Sequence, residues 1–96
     1  MNIINLERGH GKTYHLITEA AKNNAYIVCR DKAEAERIFQ IALDRELNIN
    51  FPITFQEFIN KWYHGMGIKE FMIDDVDILL YRLTSVPISL CTYTSN

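Results

Sequence analysis

The chain has few of the residues that punctuate or cross-link a fold. Its 96 residues include four glycines, two prolines and two cysteines. So little Gly and Pro excludes collagen-like and low-complexity architectures, and two cysteines cannot staple a disulfide-built mini-domain. Cys29 and Cys91 stand far apart, each in an apolar run and without metal-like spacing, so both are expected as buried free thiols. No apolar run approaches the ~20 residues of a membrane span, and "MNIINLERGHG" lacks the basic start and long apolar stretch of a secretory signal. The expectation is a cytoplasmic chain with no membrane partner. Excess positive charge is also missing. A net charge of -2 gives no broad attraction to nucleic acid or to anionic lipid.

What remains is an ordinary globular composition, 48% hydrophobic and 23% charged. The length suits one domain over residues 1–96 with a single core. Ile3, Ile4 and Leu6 form a short apolar run before a glycine-containing loop and are expected as a first strand. Residues 12–23 place Leu16, Ile17 and Ala20 at helical spacing and stop at Asn23-Asn24. "AYIVC", residues 25–29, is a second strand, and Asp31 with Glu34 opens a helix whose inward candidates are Ile38, Ala42 and Leu43.

"FPITF", residues 51–55, holds a very short strand. Thr54 and Glu57 form a T-x-x-E capping box for a helix with Phe55, Phe58, Ile59 and Trp62 on its apolar face. "EFMIDD", residues 70–75, reads as a strand closing on an acidic turn, followed by a helix with Val76, Leu79, Leu80 and Leu83 inward. "ISLCTYT", residues 88–94, alternates as a last strand. The pattern predicts an α/β fold: one three-layer domain with a short, mostly parallel sheet of about four to five strands flanked by helices.

In such sheets ligands bind beyond the C-terminal strand ends. The glycine loop, Asp74-Asp75 and Thr92 to Thr94 are all expected there. Polyphosphate needs backbone N–H donors with few side chains in the way, which Gly9, the His10 backbone and Gly11 offer at a helix start. Lys12 would reach the β- and γ-phosphates and the Thr13 hydroxyl would ligate Mg²⁺. Asp74 would hold Mg²⁺ through a water, and Asp75 would orient or deprotonate an attacking water. Thr92 and Thr94 would contact the γ-phosphate or that water, or simply reflect β-propensity at a terminus. His10, His15 and His64 have no metal spacing and no adjacent nucleophile, so their side chains receive no role.

"RGHGKT" resembles the Walker A motif of P-loop NTPases, and "FMIDD" resembles Walker B. "PITFQEF" followed by that acidic strand is similar to the order of elements in the first RecA-like lobe of helicases and phage terminase-type ATPases. "SLCTYTS" is similar to the strand that ends in their polar sensor. The chain also resembles very small P-loop proteins of bacteriophages and prophages. The resemblance implies ATP or another NTP with Mg²⁺, phosphate binding by Gly9, Gly11, Lys12 and Thr13, metal binding by Thr13 and Asp74, and a last strand between the Walker A and Walker B strands.

Three features depart from the pattern. Leu6 stands at the first glycine, Asp75 stands where a glutamate is usual, and no second lobe provides an arginine finger, whose absence costs roughly 10³ to 10⁵ in turnover in related NTPases. The expected function is therefore nucleotide binding with slow or partner-dependent hydrolysis. The alternative is a non-enzymatic interaction or inhibitor protein that docks on a host or phage assembly. A nucleic-acid reading would use Arg30, Lys32, Arg37 and Arg45, but interleaved Asp31, Glu34, Glu36, Asp44 and Glu46 should largely cancel their field. Self-association through open strand edges is a further possibility.

Overall fold

The apolar run at residues 26–29 organises the molecule because both of its faces must be covered. In the computed structural model, which describes residues 3, 11–84, 86–92 and 94, this run is β1 (Tyr26–Cys29), preceded by α1 (Lys12–Asn23). There follow α2 (Lys32–Asp44), β2 (Ile53–Thr54), α3 (Phe55–Ile59), β3 (Phe71–Ile73) and α4 (Val76–Arg82). The described strands form a three-stranded parallel sheet in the order β2-β1-β3, with Val28 opposite Ile53 on one side and opposite Ile73 on the other.

Alternation along β1 divides the core. Ile27 and Cys29 join Ile17 and Ala20 of α1, Ala35, Ile38 and Ala42 of α2, and Ile49 in one cluster. Val28 points the other way, onto Phe55 of α3 and Leu79 of α4. The result is an α/β domain of three layers, with α1 and α2 on one face of the sheet and α3 and α4 on the other.

Local signals set most boundaries. The Asp31 side chain accepts from the Glu34 N–H at 2.9 Å and opens α2. Both halves of the Thr54–Glu57 capping box are made, at 3.1 and 2.8 Å. α2 and α3 end in left-handed residues, Glu46 and Lys61, in the two-bond turn that satisfies the last carbonyls: Leu47 N–H to Ala42 O at 2.8 Å, and Trp62 N–H to Glu57 O at 3.0 Å. Asn24 closes α1 in the same left-handed region.

That turn at Lys61 corrects one expectation. It stops α3 before Trp62 can come round to the i+7 position, so Trp62 is 68% exposed, and Ile59 is exposed as well. Tyr63 takes the inner place instead, with its ring centroid 4.8 Å from Phe71 and 5.8 Å from Phe58. Leu43 is also outward, because Ala35, Ile38 and Ala42 already supply the stripe of α2 that meets the sheet. Val76 and Leu83 are exposed, since α4 presents Leu79 to the core with Ile78 beside it.

The expected last strand is corrected too. Residues 88–92 and 94 have no strand structure; Leu90 is 82% exposed and Cys91 is exposed rather than buried. A period-two pattern becomes a strand only where a neighbour completes its ladder, and these residues pair with none of the described strands. Of the expected first strand, Ile3 is exposed and Ile4 and Leu6 lie outside the described residues.

Thr54→Ala should lower unfolding free energy by about 1 kcal/mol through loss of the cap, while Thr54→Ser retains most of it; urea titration reads the difference. Burial pushes the Cys29 thiol up to about 12, helped by the nearby Glu34 charge, whereas Cys91 is exposed. Iodoacetamide should therefore label Cys91 in the folded protein and Cys29 only after denaturation.

Candidate functional site

β1 and β3 lie side by side, but the helices that follow them leave on opposite faces of the sheet. α2 joins the α1 face and α4 the other, which opens a crevice beyond the C-terminal ends of these two strands. The ladder continues past β3 with Asp74 N–H donating to Val28 O at 2.9 Å. This fixes Asp74 and Asp75 at the level of Cys29 and Arg30.

α1 begins at the same edge. Gly11 has φ 79, a conformation that costs glycine nothing and other residues more. Among the described residues no side chain caps the helix start, and no acidic residue stands in its first turn. Its leading N–H groups carry partial positive charge, which suits an anion.

Lys12 reaches from this turn to β3. Its ammonium donates to the Asp75 carboxylate and lies 3.7 Å from Asp74 Oδ1. The hydrogen bond to Asp75 raises the Lys12 pKa against the opposing effect of partial burial, with both aspartate charges adding to the rise. Lys12 stays protonated. Asp75 itself has φ 56, so a non-glycine residue occupies left-handed backbone at the start of α4, at a cost of order 1 kcal/mol or more. Its side chain caps nothing in α4 and turns to Lys12 and Arg30 instead, the latter at 3.8 Å.

Asp74 is 3% exposed. Burial raises its pKa, Asp75 raises it further, and Lys12 only partly offsets both. At 3.7 Å the Lys12 ammonium is beyond hydrogen-bonding reach, so Asp74 Oδ1 is buried with no hydrogen-bond partner. Arg30 Nε is buried without one as well. These are the two such side-chain atoms among the described residues, and both face one site.

Arg30 follows β1 directly. Its Nη2 lies 3.5 Å from Glu34 Oε2, and Arg82 donates to its backbone carbonyl at 3.2 Å. Arg37, one turn along α2, donates from Nε to Glu34 at 2.9 Å and from Nη2 to Thr13 Oγ1 at 3.4 Å. The Glu34 bond holds the Arg37 pKa above its ordinary value. At the far end the Arg45 guanidinium stacks 4.0 Å over the Tyr14 ring. Together these residues line an open cleft of ≈ 710 Å³. Lys12, Arg30, Arg37 and Arg45 supply four cations and Glu34, Asp74 and Asp75 three carboxylates.

Of the residues singled out in the sequence, Gly11, Lys12, Thr13, Asp74 and Asp75 meet in this cleft. Gly9 and His10 lie outside the described residues. Thr92 and Thr94 are exposed and in no strand, and neither lines the cleft. His15 and His64 are exposed. The residues that the sequence did not assign here are Glu34 and the arginines Arg30, Arg37 and Arg45. Arg30 had a readable signal, since it stands immediately after a buried strand and therefore at a strand C-terminus.

The cleft has the donors that a magnesium ion uses, one or two carboxylates together with ligand phosphates. Asp74, with its unpartnered oxygen, fits that role. Thr13 fits it once Arg37, whose guanidinium contacts the hydroxyl, swings aside. No cluster of three or more His, Cys, Asp or Glu suited to a metal occurs among the described residues, so the ion would need the ligand's own oxygens. No protein-family model, curated protein or solved structure matches the chain. No helix among the described residues is long and apolar enough to cross a membrane.

The Asp74 shift has a defined sign. Its folded pKa lies above the ordinary 3.8, so the native state holds this proton more tightly than the unfolded chain does. That contribution is complete below 3.8 and is lost as pH rises through the folded value. Asp74→Asn should raise the Tm of the ligand-free protein at pH 7, and the gain should shrink as pH falls towards 3.8. A gain independent of pH in thermal melts would refute ionised Asp74 as its source.

Proposed function

We propose that the cleft binds a magnesium–nucleoside triphosphate complex, with ATP the first candidate, and that the protein is a small nucleotide-binding protein whose hydrolysis is slow or depends on a partner. The observation that carries this is the pair of buried, unpartnered atoms. Asp74 Oδ1 is an acceptor in want of a cation, and Arg30 Nε is a donor in want of an anion. Buried polar atoms are rarely left unsatisfied, and a metal-bound phosphate answers both at once. The uncapped start of α1 and the Lys12 ammonium add donors on the same side.

In this reading the N–H groups from Gly11 onward and Lys12 hold phosphate oxygens, and Asp74 holds the metal with Thr13. The ion supplies charge neutralisation between phosphate oxygens when bound. Asp75 leaves Lys12 as phosphate arrives and becomes free to accept a proton from water. Its side chain is one methylene shorter than the usual glutamate and reaches less far towards an attacking water, in keeping with slow turnover. The reading includes a P-loop-like fold for the α/β domain.

A second reading, docking on a host or phage assembly, draws on the exposed apolar residues Trp62, Met66, Val86 and Leu90. The two separate at Lys12. Isothermal titration with ATP and Mg²⁺ should give saturable binding that weakens at least tenfold in Lys12→Ala and loses its Mg²⁺ dependence in Asp74→Asn. Those losses correspond to charge-assisted hydrogen bonds worth about 1.5–3 kcal/mol each. Absence of binding to the wild type ends the nucleotide reading.

A further inference from the structure

One carboxylate in the cleft stands between two of its cations. Asp75 offers Oδ1 to the Lys12 ammonium and Oδ2 to Arg30 Nε at 3.8 Å, so a single anion bridges two cations that come from different elements. It does so from left-handed backbone and without capping its own helix. Asp75 does not satisfy Arg30, because 3.8 Å leaves Nε without a hydrogen bond although the atom is buried. Glu34 touches only the outer part of the same guanidinium, at 3.5 Å. An oxyanion that displaced Asp75 from Lys12 would lie within reach of Arg30, and the buried Asp74 oxygen, 3.7 Å from Lys12, would be the protein's ligand to an accompanying metal.

We propose that Arg30 binds the terminal phosphoryl group of the ligand and so makes the site discriminate triphosphate from diphosphate. This rests on the nucleotide reading and adds a specificity-determining residue to it. The inner phosphates meet the start of α1, where the donors are backbone N–H groups and no guanidinium is required. The outermost group is the one that extends across the crevice from α1 to the end of β1, where Arg30 stands. A guanidinium is suited to that task, because its planar fork holds two phosphate oxygens and keeps its charge at any physiological pH. Asp75 and Glu34 serve as its counterions within the protein.

The test is calorimetric titration of the full chain, in Mg²⁺, with a non-hydrolysable ATP analogue, with ADP, and with inorganic tripolyphosphate and pyrophosphate as base-free probes. Wild type should prefer each three-phosphate ligand over its two-phosphate counterpart by about tenfold or more, the size of one charge-assisted hydrogen bond. Arg30→Gln and Arg30→Met should bring that ratio close to one while two-phosphate affinity stays within about twofold. Two variants guard against one that fails to fold. A wild-type ratio retained in a folded variant overturns the role of Arg30 while leaving the site intact. Equal loss of both ligand classes also overturns it, since Arg30 would then only support the cleft. If wild type binds none of the probes, the nucleotide reading itself fails and Arg30 falls with it.

Discussion

The Lys12 ammonium, in the first turn of α1, is held by carboxylates 62 and 63 residues further along the chain, at the end of β3. The cleft is built around that junction. The junction fixes the open start of α1 over the C-terminal edge of the sheet, it engages the Asp75 side chain that would otherwise cap α4, and it leaves Asp74 buried beside a cation that is too far away to satisfy it. An exposed ion pair would contribute little to stability. Here one partner is 3% exposed, and the arrangement is unfavourable for that partner, whose burial raises its pKa. A ligand that brings both a cation and an anion removes the conflict. The cleft thus trades stability for readiness to bind, as functional sites commonly do.

Rigidity behind the cleft comes from β1. Its side chains are committed to both faces, with Ile27 and Cys29 in one cluster and Val28 in the other, so neither Arg30 nor the strand beside it can shift register without turning apolar groups into solvent. The left-handed turns at Asn24 and Glu46 end α1 and α2 within a residue or two of their last core contacts. At the cleft itself the connections are short, two residues from β1 to α2 and two from β3 to α4. They lengthen beyond α3, where Trp62 and Met66 reach solvent.

Much of this was legible in the sequence. Residues 12–23 had a helical apolar face and a stop signal, and α1 has those limits. The T-x-x-E pattern at Thr54 forms both of its bonds. The meeting of Lys12 with Asp74 and Asp75 followed from placing each at a strand's C-terminal end. The failures share a cause, which is that periodicity describes what a segment buries if it continues. The apolar spacing from Phe55 to Trp62 gave no warning that the chain would turn at Lys61, a residue with no special left-handed preference. The alternation at residues 88–94 said nothing about a pairing strand. Arg30 and Arg37 were hidden for another reason. Their neighbours Asp31, Glu34 and Glu36 made them look like a cancelling surface, whereas the helix turns Glu34 and Arg37 towards the cleft and leaves Asp31 and Glu36 in solvent.

The most direct measurement is a crystal structure of the protein with Mg²⁺ and a non-hydrolysable triphosphate. The account predicts that Lys12 Nζ leaves Asp75 for a phosphate oxygen, and that the metal lies within one water of Asp74. A ligand bound elsewhere, or a bound ligand with Lys12 still paired to Asp75, would contradict it.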